Sequence, residues 1–539
     1  MNTHIKAVTI TFNNSWKQEH ILNLEERKIT LLKSIKENRK FIVIATNKNL
    51  GPAIMEIEYY IHRCLLDHLD DTNTYTELPE MEARILNKEN FHFICTHFID
   101  DSKATITKQA RTFFIRECLG FTDKTTNVTR KKAGVTFPYF YMMPQVHKKP
   151  LWKTRPVVNG VTSIMRPLSI WLDTMLQQVV HLCPFYLKDS WHLLNDLKKL
   201  KSLKGCKLVT SDAQSFYTNI NTEHAIDILH KWFILHSQDL PPNFPVDLVL
   251  LGIERLMKNN VFTFGSRFFL QTNGTAMGTN VACMYATIHY SYHEETQLAL
   301  LPYIRYYGRL IDDAFIIVDE DTLFSDLASN MNDFGPPEKR LTWDIEPLLQ
   351  TVNFLDLTIT IDHKGNITTK TYMKPDNYFL YRTPDSCQPD SILRSFVYSA
   401  LQSYFNQNSS ISDYNYYVNF LFDNMLERGH IKFSLQRIFK KESAKAFKSS
   451  IPVVTREPPT YISNNNTPKN NNIYIHLPHH PNNPSHKELQ TITNVLKEEI
   501  KDEFDFERVI IAYSKAPNIG DICKKHQLED YINTHHPTG

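Results

Sequence analysis

Two aspartates, Asp312 and Asp313, stand side by side in RLIDDAF (309–315), between the strand-like runs YIRYYG (303–308) and IIV (316–318). Aspartate is common in hairpin turns, and neighbouring carboxylates also call for a cation; on this stretch alone the two readings weigh about equally. A further carboxylate, Asp212, closes the apolar run LVTSD (208–212), 100 residues before Asp312. A strand end is where a chain can aim a carboxylate into a cleft. If that strand lies beside the 309–318 hairpin, Asp212 and Asp312 converge. Two or three convergent carboxylates suit a pair of divalent ions, because hard Mg²⁺ takes oxygen ligands and keeps positions for substrate phosphates. Two ions about 4 Å apart stabilise both the attacking and the leaving oxygen of a phosphoryl transfer.

Two other stretches carry chemistry only in combination. In KKPLWKTRPVV (148–158) strand periodicity puts Lys153 and Arg155 on one face, with Lys148 farther back. Such a face can clamp a triphosphate, or it can be an edge strand guarded by lysine. In TNGTAMGT (272–279) Gly274 and Gly278 allow close backbone approach to a ligand; an ordinary loop before a helix has the same composition.

The remaining composition bounds the answer. A chain of 539 residues exceeds one usual core and predicts two to four domains. The net charge of +2 implies no global polyanion-binding field, but residues 103–166 hold 13 Lys/Arg against two acids, a plausible phosphate-binding stretch. Eight scattered cysteines without a C-x-x-C pair argue against a zinc site or a disulfide framework and fit a reducing compartment. No signal peptide and no membrane span is expected. His476, His479, His480 and His486 read as part of a linker, since no Cys or acid is spaced with them.

The elements that must position these groups follow from periodicity. FIVIA (41–45), 137–160, LVTSD, VFTFGSRFFLQ (261–271), RYYGRLIDDAFIIV and 352–374 read as strands and hairpins, the last with Leu355, Leu357, Ile359 and Ile361 alternating into the turn DHKGN (362–366). Helical patterns occupy 24–40, 55–71, 104–118, roughly 166–204, 222–236, 245–259, 322–335 and most of 388–448, and the 272–295 loop leads into another. Strands and hairpins alternating with helices predict an α+β sheet with helices on one face.

The order of these weak motifs is more specific than any one of them. A basic clamp, an Asp at a strand end, a glycine loop and helix, a double-Asp hairpin and a further hairpin succeed one another as in the fingers and palm of reverse transcriptases. The chain resembles Penelope-like retroelement reverse transcriptases, a telomerase-related family, in TNKNLGPAIME (46–56), YMMPQVHKKPLWKTRPVVNG (141–160), SDAQSFYTNINTEHA (211–225), GTAMGTNVACMYA (274–286), RYYGRLIDDAF (305–315), VNFLDLTITI (352–361) and IAYSKAPNIGDIC (511–523), over roughly residues 40–525. The resemblance implies an α+β right-hand polymerase. Its parts would be an N-terminal helical extension and the start of the fingers (1–130), fingers (131–204), palm with catalytic carboxylates and primer-grip hairpin (205–375), and helical thumb (376–451). A Pro/Asn/His-rich linker (452–486) and a small C-terminal module (487–539) would follow.

It also implies an RNA-directed DNA polymerase that adds dNTPs to a primer 3′-hydroxyl on an RNA template, with a DNA primer or target DNA as further partner, in the nucleus and away from membranes. The alternative is a catalytically inactive or domesticated copy that binds RNA as a scaffold. By similarity Asp212 and Asp312 bind two catalytic Mg²⁺ ions, with Mn²⁺ as a possible substitute; Asp313 completes the acidic turn as a structural or auxiliary metal ligand, and the Ala213 carbonyl is an extra ligand. Arg155, Lys153 and Lys148 neutralise the triphosphate, and Lys48 is a second fingers candidate. Tyr217 blocks a 2′-hydroxyl, and Gly274 and Gly278 shape the floor under the templating pair. The sequence departs from the family at Leu310, where an aromatic is common, at Gln145 (Lys), Asn47 (Asp) and Asn280 (small residue or Pro). Many relatives carry a GIY-YIG endonuclease after the polymerase; only 14 residues follow residue 525, so the expectation is a chain that lacks that activity or a fragment of a longer element.

Overall fold

The computed structural model describes residues 26–38, 40–47, 51–100, 106–119, 137–146, 153–201, 203–333, 341–375, 377–384, 386, 388–448, 472–478, 486–500 and 508–514. In chain order its strands are β1 (Phe41–Ala45), β2 (Pro52–Glu56), β3 (Tyr75–Leu78), β4 (Tyr139–Gln145), β5 (Lys153–Asn159), β6 (Cys206–Ala213), β7 (Asn260–Phe264) and β8 (Arg267–Gln271). They continue with β9 (Ile304–Leu310), β10 (Asp313–Asp319), β11 (Trp343–Ile345), β12 (Thr351–Phe354), β13 (Leu357–Ile361), β14 (Ile367–Thr371), β15 (Asn472–Pro478) and β16 (Arg508–Ser514).

The strand that carries Asp313 is central. β10 reads AFIIV after its first aspartate, and all five of these residues are buried, the continuous apolar run expected of a strand covered on both faces. It lies in the sheet β11-β6-β10-β9, antiparallel throughout. Alternate residues leave by opposite faces. Val209, Ala314, Ile316 and Val318 join the cluster built by the helices Arg166–Val179, Thr222–Leu235, Val246–Lys258 and Ala282–Leu298. Leu208, Phe315 and Ile317 join a second cluster with the helix Ser190–Leu197 and with Val352, Phe354, Leu357, Ile359 and Ile361. The fold is α+β as read from the sequence, but helices do not cover one face alone: the small sheet β12-β13-β14 lies under the other.

A second sheet, β3-β8-β7-β4-β5, gathers strands from positions 75 to 271 and is antiparallel except between β4 and β7. Its core is a stack of aromatics, with Phe140, Phe262, Phe264 and Phe269 all buried. Beyond β14, three helices, Asp390–Gln407, Ile411–Glu427 and Lys432–Lys448, pack around Leu401, Leu421, Met425 and Leu435.

Two further sequence readings are corrected. Leu355 does not continue the strand alternation: Phe354 and Leu357 are paired, and Leu355 sits in the turn between them at φ 55°. Residues 472–478, read as linker, form β15, which pairs parallel with β16. That pairing spans about 30 residues, and neither strand carries a hairpin signal that would reveal its partner. Among the described residues no helix is long and apolar enough to cross a membrane.

Candidate active site

The register of one strand pair brings the predicted carboxylates together. Asp212, next to last in β6, is the Cα partner of Asp313, the first residue of β10. Partners in register share a face, and here it is the face away from the large helices, where Asp212 is exposed. Asp312 occupies the two-residue turn between β9 and β10, and its carbonyl accepts a hydrogen bond from Ala213 N at 2.7 Å. The turn's first residue, Ile311, has φ 57°, a left-handed conformation that costs an L-residue about 1–2 kcal/mol. Leu310, the departure from the family pattern, is the partner of Asp313 on β9 and packs partly on the cluster beneath the site.

Sequence reasoning missed a carboxylate. Asp344 of β11 is the partner of Asp212 on its other side, so Asp344, Asp212 and Asp313 form a row across three strands. Gln214 Nε2 donates to Asp344 Oδ1 at 2.6 Å. The only sequence signal was the short WDI run, which follows residues outside the described set.

The glycine loop and the basic strand reach the same edge. Gly274 (φ 74°) packs where a Cβ would meet Thr218 Cα and O at 3.0 Å, and Gly278 (φ 112°) where a Cβ would lie 2.3 Å from the Val158 carbonyl oxygen. Thr275 N donates to Tyr217 O at 2.8 Å and Val158 N to Met277 O at 3.0 Å. The loop therefore knits the turn after Asp212 to β5, and its two glycines are required by backbone contact with those elements. On β5, Arg155 is half-buried with its Nε 3.2 Å from Met277 Sδ, while Lys153 is exposed. Tyr217 packs partly against the helical core. Burial, then Cys283 and Asp312, push its hydroxyl pKa upward, and Arg155 draws it down, so Asp312 and Arg155 each lie within electrostatic reach of Tyr217.

Behind β5 a polar network fixes its start. Arg63 donates to Asp67 through Nε and Nη2, Thr154 Oγ1 donates to Asp67 Oδ2 at 2.8 Å, and His68 Nε2 is 2.9 Å from Thr154 Oγ1. Lys48 and seven of the 13 Lys/Arg of 103–166, Lys148 among them, lie outside the described residues.

The donor set suits a hard divalent cation, since the carboxylates Asp344, Asp212 and Asp313 are register neighbours on adjacent strands. Among the described residues no three His, Cys, Asp or Glu side chains are already closed around one point. Like charges resist that closure until a cation offsets them.

No family model and no curated protein matches the chain. Among solved structures, telomerase from Candida albicans, in complex with a TWJ fragment of telomeric RNA, is similar at 10% identity and a TM-score of 0.45, over 78% of this chain. This chain spans only 65% of that telomerase's length. Apo telomerase from Candida tropicalis is similar over 77% of this chain and 70% of its own, at 9% identity and a TM-score of 0.41. The Sicinivirus 3Dpol RNA dependent RNA polymerase is similar over 72% and 90%, at 12% identity and a TM-score of 0.37.

Proposed function

We propose that the chain is a template-directed nucleotidyltransferase, and specifically an RNA-directed DNA polymerase of the Penelope-like retroelement type, acting in the nucleus on an RNA template with a DNA primer. The observation that carries this reading is the register Asp212–Asp313, with Asp312 in the adjoining turn and its carbonyl bound by Ala213. A lone acidic hairpin is a turn. An acidic hairpin docked on a second strand that ends in aspartate, beside a glycine loop and a basic strand, is a site for phosphoryl transfer.

In this reading Asp212 and Asp312, with Asp313 as auxiliary ligand and the Ala213 carbonyl, would hold two Mg²⁺ ions. Bound there, the ions would supply a lowered hydroxyl pKa and neutralisation of phosphate charge. The chain's own residues do the rest. β6 and β10 fix the spacing of the carboxylates, so that little reorganisation remains when charge develops. Arg155 and Lys153 present guanidinium and ammonium groups to the triphosphate of the incoming dNTP. Tyr217, held by the Thr275 contact to its carbonyl, is the side chain that would exclude a ribose 2′-hydroxyl. The β12–β14 sheet beneath the carboxylate face supports the primer end.

The test is extension of a DNA primer on an RNA template by the full chain with dNTPs and Mg²⁺. Extension by the parent and none by Asp212→Asn is the expected result. RNA binding without extension, unchanged by Asp212→Asn, would leave the scaffold reading instead.

A further inference from the structure

Arg309 lies three residues before the paired aspartates and, unlike the basic residues discussed above, is inside the protein: its side chain and that of Glu294 are each 2% exposed. Arg309 Nε donates to Glu294 Oε1, and Nη2 donates to Glu294 Oε2 at 2.9 Å and to the Thr287 carbonyl at 3.2 Å. Its Nη1 donates to the carbonyl of Ile311 at 2.8 Å. Tyr307 O–H donates to Glu294 Oε1 at 2.8 Å. The guanidinium carbon lies 5.6 Å from the ring centre of Phe216, four residues after Asp212. Its backbone is fixed as well, with Arg309 N donating to Phe185 O and Leu187 N donating to Arg309 O, each at 2.8 Å.

One side chain thus joins the strained turn that carries Asp312, the segment that follows Asp212, and the helix Ala282–Leu298 that follows the glycine loop. A buried ion pair is a poor choice for stability alone, because an apolar group of equal volume does as well or better. A planar fork, however, fixes direction as an apolar group does not. We infer that Arg309, oriented by Glu294, is a positioning residue that clamps the Ile311–Asp312 turn and so sets Asp312 and Asp313 against Asp212. The inference rests on the polymerase reading of the same site and adds a residue that touches neither substrate nor metal.

Two variants of the full chain test it. Arg309→Lys keeps the charge opposite Glu294 and loses the fork to Ile311. The triple variant Arg309→Met/Glu294→Leu/Tyr307→Phe replaces the buried polar cluster with apolar groups of similar volume. Three readouts are needed: thermal melting, steady-state primer extension, and Mn²⁺ binding to the protein alone by electron paramagnetic resonance.

The expected result is cooperative melting near the parent, a kcat about 100-fold lower with the dNTP KM within about twofold, and Mn²⁺ binding weakened at least severalfold. Folded variants with the parent's kcat and Mn²⁺ affinity would overturn the inference and leave the polymerase reading intact. If neither variant folds, the cluster holds the fold and the positioning role falls. If the parent extends nothing yet binds Mn²⁺ through Asp212, and the variants weaken that binding, the polymerase reading fails while the clamp stands. A parent that neither extends nor binds Mn²⁺ at this edge overturns both.

Discussion

Ile311–Asp312 and Leu355–Asp356 are the two-residue loops of neighbouring hairpins, β9–β10 and β12–β13. In each a bulky apolar residue takes φ near 55° ahead of an aspartate, at 57° and 55° respectively. What differs is the part of the aspartate that is tied down. Asp356 is held through side chain and backbone: its Oδ2 accepts from Gln407 Nε2 of the helix Asp390–Gln407, and its carbonyl accepts from Tyr372 N at 2.8 Å. The Asp312 turn is fixed through its backbone, by Ala213 N on the Asp312 carbonyl and Arg309 Nη1 on the Ile311 carbonyl. The same local geometry therefore makes a structural joint in one place and presents a carboxylate in the other. The neighbouring strand decides which: β6 brings Asp212 to Asp313, whereas β14 brings Thr371 to Leu357.

The largest expected effect separates the two hairpins outright. A bound metal contributes several kcal/mol of charge stabilisation, and each 1.4 kcal/mol is tenfold in rate. Asp312→Asn should lower primer extension roughly 10³-fold with little change in melting temperature. Asp356→Asn should do the reverse, turning the charge-assisted bond from Gln407 into a neutral one at a cost of about 1 kcal/mol while extension on the same template stays within about threefold. Equal loss of activity in both would erase the distinction.

Two glycines sharpen it. A Cβ on Gly278 would lie 2.3 Å from Val158 O, and one on Gly365, in the β13–β14 turn, 2.4 Å from Lys204 N. Both Gly→Ala variants force backbone to move at positive φ and should cost about 2 kcal/mol or more, read as a lower melting temperature. Gly278 abuts the strand that carries Arg155, so only Gly278→Ala should also raise the KM for dNTP, by roughly tenfold.

Removing the strain itself has a smaller effect. Ile311→Gly and Leu355→Gly each relieve about 1 kcal/mol of left-handed strain and lose a partly buried side chain, so melting should change by only a few degrees in either. Extension should slow severalfold in Ile311→Gly, whose turn loses stiffness under the carboxylates, and stay at the parent's rate in Leu355→Gly.

How much of this was legible in the sequence follows the range of the interactions. RLIDDAF gave its hairpin and LVTSD its strand end because both signals are local, apolar runs closed by polar residues. The partnership of Asp212 with Asp313 was an inference from motif order, since register over 100 residues leaves no mark in either strand. The sheet uniting β3, β8, β7, β4 and β5 went unread for the same reason. Asp344 was invisible because a three-residue strand carries no periodicity. Nothing local singles out Arg309 or Glu294: RYYGRL contains two arginines, and only tertiary burial shows that Arg305 pairs with Asp319 half in solvent while Arg309 is enclosed. Leu355 was assigned to a strand because an apolar residue at positive φ contradicts its own propensity.

The smallest effect is a pH dependence confined to the structural hairpin unit. In the β13–β14 turn Asp362 accepts from Asn366 Nδ2 and Asn366 N at 2.8 and 2.9 Å and from Lys364 N at 2.8 Å. The Asn366 contacts, side chain first, hold its pKa below the ordinary carboxylate value. A depressed carboxylate binds fewer protons folded than unfolded, so its contribution is present above the unfolded pKa near 4 and fades as pH falls through the folded value. The turn is largely exposed, so screening keeps the effect small. Asp362→Asn should therefore melt slightly below the parent at pH 6, with the gap closing by pH 3, and extension at pH 7 should be unchanged. A gap that persists at pH 3 would assign the turn's stability to Asn366 and Gly365 instead of the charge. An activity loss at pH 7 would show that the β12–β14 unit reaches the carboxylate site more directly than the contrast between the two hairpins allows.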